Sequence, residues 1–310
     1  MNLPKAVALA LFLPNALWAQ EATVESCGGT FVFETPPERA ITLNQQATEV
    51  MLALGLEDRM VGTAYLDDAI LPRWQDAYAR VPVLAEKYPA REVVLMADPD
   101  FLFAGFGSAF SEDALGAEAD WHDLGIGTYL VDASCDRTNP KDTPPGTAPI
   151  LRDIEVIGDI FGIEERAATL IADTRARLDS ASEANTGQGR RAFIYDSGDK
   201  TPYSVGCCGG PGVLVETVGL TNIAADLKGR WVNLAWERVV QENPDLIVLI
   251  DAAWSSAAEK RAYLEADPVL SELDAVRAGR FVTIPFSQTV LGMQFVDGVQ
   301  ALATQLEALD

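Results

Sequence analysis

The sequence predicts an α/β protein made of two lobes with mostly parallel sheets, joined by a long helical segment. A unit of the form Glu-x-Val-x4-Pro-Asp followed by an apolar run occurs twice, from Glu92 and again from Glu237. In each copy Val and Leu at helical spacing indicate a short amphipathic helix, Pro99 or Pro244 stops it, and the apolar run that follows indicates a buried strand. Helix, stop and buried strand is the grammar of α/β folds, and one copy per half implies two similar halves. Between the halves, Ile154, Ile157, Ile160, Phe161, Ala168, Leu170, Ile171 and Leu178 recur at helical spacing, with Gly158 and Gly162 as candidate interruptions. A helical spacer is stiff where extended crossovers make hinges, so the lobes should open and close little.

Residues 27–147 form the expected amino-terminal lobe. Ala40 to Leu43 is a strand, Asn44 opens a helix that Gly55 ends, and Met60 to Tyr65 is a second strand. Tyr65 and Asp67-Asp68 therefore fall at a strand's C-terminal end, where open parallel sheets place their ligands. Phe101 to Ala104 supplies the next strand, with Gly105-Phe106-Gly107-Ser108 turning at its end. A helix holding Trp121 and His122 leads to the strand Gly127 to Val131. Residues 148–186 form the helical link. The carboxy-terminal lobe, residues 190–310, has strands at Ala192 to Tyr195 and Phe281 to Ile284, the second repeat copy between them, and a closing helix from about Val290 to Leu309.

Met1 to Ala19 has the form of a secretory signal peptide, with Lys5, the apolar run Ala6 to Leu13 and small Ala19 before the cleavage point. Cys27 follows Val24-Glu25-Ser26, which lacks the small apolar residues expected before a lipidated cysteine. A soluble, extracytoplasmic mature chain is expected, most simply a periplasmic one. A net charge of −23 disfavours nucleic acid and anionic membrane surfaces as partners. The four cysteines suit an oxidising compartment. Cys27 with Cys135 would pin the start of the first lobe to its last segment. Cys207-Cys208, in the loop Gly206 to Gly212, admits either a vicinal disulfide or two free thiols.

Catalytic motifs are largely absent. There is no Gly-x-Ser-x-Gly elbow, no P-loop and no His-Glu-x-x-His, and the single histidine, His122, reads as a surface or packed residue beside Trp121. The chemistry lies with aromatics. Tyr65, Phe106, Tyr203, Trp231 and Trp236 fall in loops or at strand ends and suit a cleft for a large, flat or partly apolar ligand. Arg137, Arg191 and Arg230 are candidate anion partners there.

Three stretches, Arg39 to Tyr65, Val81 to Gly105 and Trp231 to Leu249, resemble the substrate-binding proteins of bacterial ABC importers for iron-siderophore complexes and vitamin B12. The resemblance runs over nearly the whole mature chain. It implies two Rossmann-like lobes on a rigid helical backbone, the class III periplasmic binding protein arrangement, with a ligand cleft between them. In cobalamin-binding members an aromatic side chain precedes a glutamate by six residues in each lobe, the aromatics facing ligand and the glutamates docking onto permease arginines. Phe106 with Glu112 and Trp231 with Glu237 match that interval. Thr201-Pro202-Tyr203 matches an element that lays an aromatic ring over ligand. The departures are Phe106, smaller than the usual aromatic, and Cys207-Cys208, which the family does not share in general.

The expectation is a monomeric, non-enzymatic carrier without cofactor that takes a ferric siderophore, or else cobalamin or haem, to an ABC permease. Tyr65, Phe106, Tyr203, Arg230, Trp231 and Trp236 are the expected ligand-binding residues, and Glu112 and Glu237 the docking carboxylates. A bare zinc or manganese carrier is disfavoured, since such sites use several histidines. The rival is an extracytoplasmic thiol-redox protein using Cys207 and Cys208.

Overall fold

A computed structural model describes residues 21–135 and 144–309. The signal-peptide segment and Arg137 lie outside the described residues.

The amino-terminal lobe begins with an antiparallel hairpin of β1 (Ala22–Ser26) and β2 (Gly29–Phe33). Its main sheet holds β3 (Ala40–Leu43), β4 (Met60–Ala64), β5 (Val83–Ala85), β6 (Phe101–Ala104) and β7 (Gly127–Leu130), all parallel, in the order β5-β4-β3-β6-β7. Helices α1 (Gln45–Ala53), α2 (Gln75–Tyr78), α3 (Arg91–Met96) and α4 (Glu118–His122) connect the strands. Every residue of β3 and β6 is buried, as continuous apolar runs in a covered parallel sheet should be. Cys27 and Cys135 are joined by a disulfide, which ties the hairpin to the segment after β7.

Two helices form the link: α5 (Ala148–Phe161) and α6 (Glu164–Ala184). The break falls at Gly162, whose φ of 63° is left-handed and lets Ile163 donate back to the Gly158 carbonyl at 2.8 Å. Gly158 stays inside α5 and instead gives room for Ala167 of α6. α6 clamps both lobes. Arg166 Nη1 donates to the Leu54 carbonyl at 2.6 Å, and Arg177 reaches Asp297 and Gln300 of the last helix at 3.0 and 2.7 Å.

The carboxy-terminal lobe contains β8 (Arg191–Tyr195), β9 (Tyr203–Val205), α7 (Gly210–Thr217), β10 (Thr221–Asn222), β11 (Trp231–Asn233), α8 (Trp236–Glu242) and β12 (Leu246–Asp251). α9 (Ala257–Ala266), α10 (Asp274–Arg277), β13 (Phe281–Pro285) and α11 (Met293–Glu307) complete it. Its parallel sheet runs β10-β8-β12-β13, while β9 and β11 pair antiparallel as a separate ribbon.

The duplicated unit has one structural role in both lobes. Asp100 donates its amide to the Arg39 carbonyl and accepts the Arg39 amide at 2.9 Å, while Asp245 does the same with Arg191, its carboxylate accepting at 2.6 Å. The residue before each proline, Asp98 or Asn243, has positive φ, and its carbonyl accepts from the guanidinium of Arg39 or Arg191. Each Pro-Asp therefore staples the start of its own strand, β6 or β12, to the start of the neighbouring central strand, β3 or β8. Arg191 is thus a strand-start residue, at the sheet edge opposite the C-terminal strand ends, and not an anion partner in a cleft.

Candidate functional site

In both sheets the strand order reverses at the centre, between β3 and β6 in one and between β8 and β12 in the other. The crevice beyond the C-terminal ends of strands at such a reversal is the usual ligand position in open α/β sheets. Asn44 follows β3 and Phe106 lies just beyond β6. Asn44 is fully buried with φ of 75°, and its Oδ1 accepts from the Phe106 amide and from Tyr88 Oη, each at 3.2 Å. That side chain sets the path of the turn carrying Phe106. Ser134 Oγ, donating to the Gly105 carbonyl at 2.7 Å, secures it from the other side.

A cavity of about 400 Å³ lies between the lobes. Phe106, Ala133, Ser134 and Pro145 line it from one side. Cys208 to Pro211, Gly229, Arg230, Trp231, Phe286 and Thr289 to Leu291 line it from the other. Trp231 stands on the β9–β11 ribbon opposite Val205, which makes Tyr203 its diagonal neighbour on the same face. The Tyr203 and Trp231 rings stack with centroids 5.8 Å apart. Phe286 stacks on Trp231 at 6.4 Å and meets Trp254 edge-on at 4.8 Å. Four rings thus run in series, Trp231 and Phe286 of them lining this cavity, and their π faces suit a ligand with flat or apolar surface.

Trp254 leads into a neighbouring cavity of about 370 Å³ shared with Tyr65, Asp67, Tyr78 and Lys87. Tyr65, at φ 58°, packs against Tyr88 at 4.7 Å, and Lys87 Nζ lies 4.1 Å from its ring centroid. Burial raises the Asp67 carboxyl to about 6, against the opposing pull of Lys87.

The structure therefore brings Phe106, Arg230 and Trp231 to one cavity, sets Tyr203 against Trp231, and puts Tyr65 in the adjoining chamber. Trp236 is placed elsewhere. Its ring packs edge-on against Phe193 and Tyr195 at 5.8 and 5.4 Å and its Nε1 donates to the Asp199 carbonyl at 2.6 Å, so it belongs to the packing of the carboxy-terminal lobe and not to the cleft. Glu112 and Glu237 are exposed and outside both cavities, Glu237 in the first turn of α8 beside a shallow apolar recess of Val240, Val269 and Leu270. His122 Nε2 lies 2.8 Å from Thr128 Oγ1 and its ring packs on Phe31, which is a structural environment. Cys207 and Cys208 form a vicinal disulfide. Sequence reasoning missed Trp254 and Phe286. Both follow C-terminal strand ends, after β12 and β13, so the rule that pointed to Tyr65 and Phe106 was the signal that could have found them.

Residues 41–287 match the family described as periplasmic binding protein, and the chain belongs to it. It is therefore a substrate-binding component of the kind that serves ABC importers, of extracytoplasmic location. An uncharacterized ABC transporter substrate-binding lipoprotein of Bacillus subtilis is 26% identical over 275 residues, covering 87% of this chain and 80% of that one. A cobalamin-binding protein of Halobacterium salinarum is 26% identical over 81% of this chain and 64% of its own length. The crystal structure of an ABC-type Fe3+-hydroxamate transport system protein from Saccharomonospora viridis superposes with a TM-score of 0.73 at 25% identity, covering 91% of this chain and 98% of that one. Among the described residues no helix is long and apolar enough to cross a membrane.

Proposed function

We propose that this protein captures a metal chelate between its lobes, a ferric siderophore in the first place, and delivers it to an ABC permease. The observation that carries the reading is the cavity in which Phe106 of one lobe faces Trp231 and Arg230 of the other. Aromatic walls take up the apolar periphery of a chelate, and a guanidinium takes up its carboxylate, hydroxamate or phosphate oxygens. The similarity to the hydroxamate-system protein supports iron chelates, and the similarity to the cobalamin-binding protein makes cobalamin the second reading. Glu112 and Glu237, one exposed carboxylate per lobe, serve in this reading to orient the carrier on the permease, an effect on encounter and register more than on affinity.

The test is a calorimetric and fluorescence titration of the purified protein against a ferric trihydroxamate, a ferric catecholate, haem and cyanocobalamin. Saturable quenching of Trp231 by a ferric chelate supports the reading. Binding of cyanocobalamin alone shifts it to the second, and no binding across the panel would sink both. Turnover of a model disulfide would favour the thiol-redox rival instead.

A further inference from the structure

We propose that the Cys207–Cys208 disulfide is a positioning element of the ligand cleft, holding the backbone of Arg230 and Trp231 where those side chains meet the ligand. The inference rests on the functional reading above and assigns the disulfide a part in that same site. The bridge closes adjacent residues into one ring with the peptide that joins them, and Cys208 lines the cavity. That ring is packed directly on the segment bearing the two cleft residues. The Gly206 amide donates to the Arg230 carbonyl at 3.3 Å and the Cys207 amide to the Leu227 carbonyl at 2.9 Å.

The glycines around the ring show how close the approach is. A Cβ on Gly206 would stand 2.5 Å from the Leu227 oxygen and 2.6 Å from that of Gly229, and one on Gly209 would stand 2.6 Å from that of Arg230. A Cβ on Gly210 would collide with the carbonyl of Thr289, which lines the same side of the cavity. The nearest neighbours are thus backbone oxygens, with the Val205 and Val232 methyls beside them, so a change in the loop presses directly on that backbone. Asn222, buried, fixes the near end by donating its Nδ2 to the carbonyls of Val205 and Gly206 at 2.8 and 3.2 Å. With its near end anchored and its face pressed on residues 227–230, the loop transmits its conformation to Arg230 and Trp231. Opening the ring returns rotational freedom to both cysteines and loosens that support.

The experiment compares the wild type with the Cys207→Ser/Cys208→Ser double variant, with Cys27→Ser/Cys135→Ser as a control for loss of the other bridge. In ligand-free protein, amide hydrogen exchange at residues 227–231 should rise by about tenfold or more in the first variant, with β8 and β12 unchanged. Affinity for whichever of ferric trihydroxamate and cyanocobalamin the wild type binds should fall by about tenfold. Should the double variant fold poorly, the wild type is treated with a dithiol. The S–S bond breaks, both sulfurs gain a proton as two electrons pass from the dithiol, and the dithiol closes to its own disulfide. Alkylation and mass spectrometry identify the bridge opened, and reoxidation should restore both exchange and affinity. Unchanged exchange at 227–231 overturns the proposal, as does raised exchange with undiminished affinity. If the wild type binds neither probe the functional reading fails, and exchange alone then decides what the disulfide positions.

Discussion

Gln294 of α11 donates its Nε2 hydrogen to Glu49 of α1 at 2.6 Å, across the seam between the lobes and out of reach of water. Gln45 donates to the same carboxyl oxygen at 2.7 Å, and Ser287 Oγ closes the chain by donating to Gln294 Oε1 at 2.9 Å. Burial raises the Glu49 carboxyl to about 7, the two amide donors only partly opposing it. Its folded value thus exceeds its unfolded one, so the folded state holds the extra proton and this contribution to stability is lost as pH rises from about 4.5 to about 7. Asp153, also raised to about 7 by burial, acts in the same direction. The melting temperature should therefore fall between about pH 4.5 and about pH 7, and Glu49→Gln should remove about 1–3 kcal/mol of that fall. Thermal denaturation across the range checks it, and an unaltered slope in the variant would count against the assignment.

The same seam carries a partly exposed ion cluster in which Arg73 grips Asp297 through two nitrogens at 2.9 and 2.6 Å and Arg177 adds a third contact at 3.0 Å. These guanidinia hold the Asp297 carboxyl below the usual range against the opposing effect of burial, which is the larger single influence. Asp297→Asn should cost about 1–3 kcal/mol by leaving two arginines short of their acceptor. Urea titration at neutral pH measures this.

Trp231 and Trp236 are five positions apart and should respond in opposite ways. Trp231→Ala should weaken ligand binding by about 10- to 100-fold with little loss of fold, because its ring stands at the cavity wall. Trp236→Ala should leave affinity nearly intact and cost about 3–5 kcal/mol of stability, because its ring fills the packing around Phe193 and Tyr195. Calorimetry and chemical denaturation on both variants separate the two roles.

Reversal of charge at Glu112 and Glu237 together should abolish uptake in cells while affinity in solution stays within about twofold of wild type. An equal loss of affinity would move both carboxylates into the binding site.

Asp100→Ala and Asp245→Ala should destabilise by similar amounts, about 1–3 kcal/mol each, since each removes the acceptor for the amide of Arg39 or Arg191. A strongly unequal pair would show that the two copies of the unit have diverged in role.

Much of the architecture was readable because buried parallel strands are written as continuous apolar runs. The stretches around Leu43, Phe103, Phe193 and Ile284 carry that signature, and Gly162 marks the break in the linking helices. The β9–β11 ribbon left little trace, being three residues on each side and held by pairing with a partner distant in sequence. Trp236 illustrates a different limit. Its position at the end of a loop says that it is near a strand end, while the side to which its ring turns depends on Phe193 and Tyr195, far away in the chain. Asn44 was legible as a helix start but not as the acceptor that shapes the Phe106 turn, for the same reason.

The Cys27–Cys135 bridge spans 108 residues of sequence and encloses the whole five-stranded sheet of the first lobe. Tension applied at the two ends of the oxidised chain passes from one sulfur to the other and bypasses that sheet. The strands between the two cysteines cannot be unravelled by pulling, and about 390 Å of contour length stays hidden until the bridge is reduced. The chain between the two cysteines is thus a closed loop hung on the load path, and β1, the linking helices and the second lobe are the parts of the molecule that bear force.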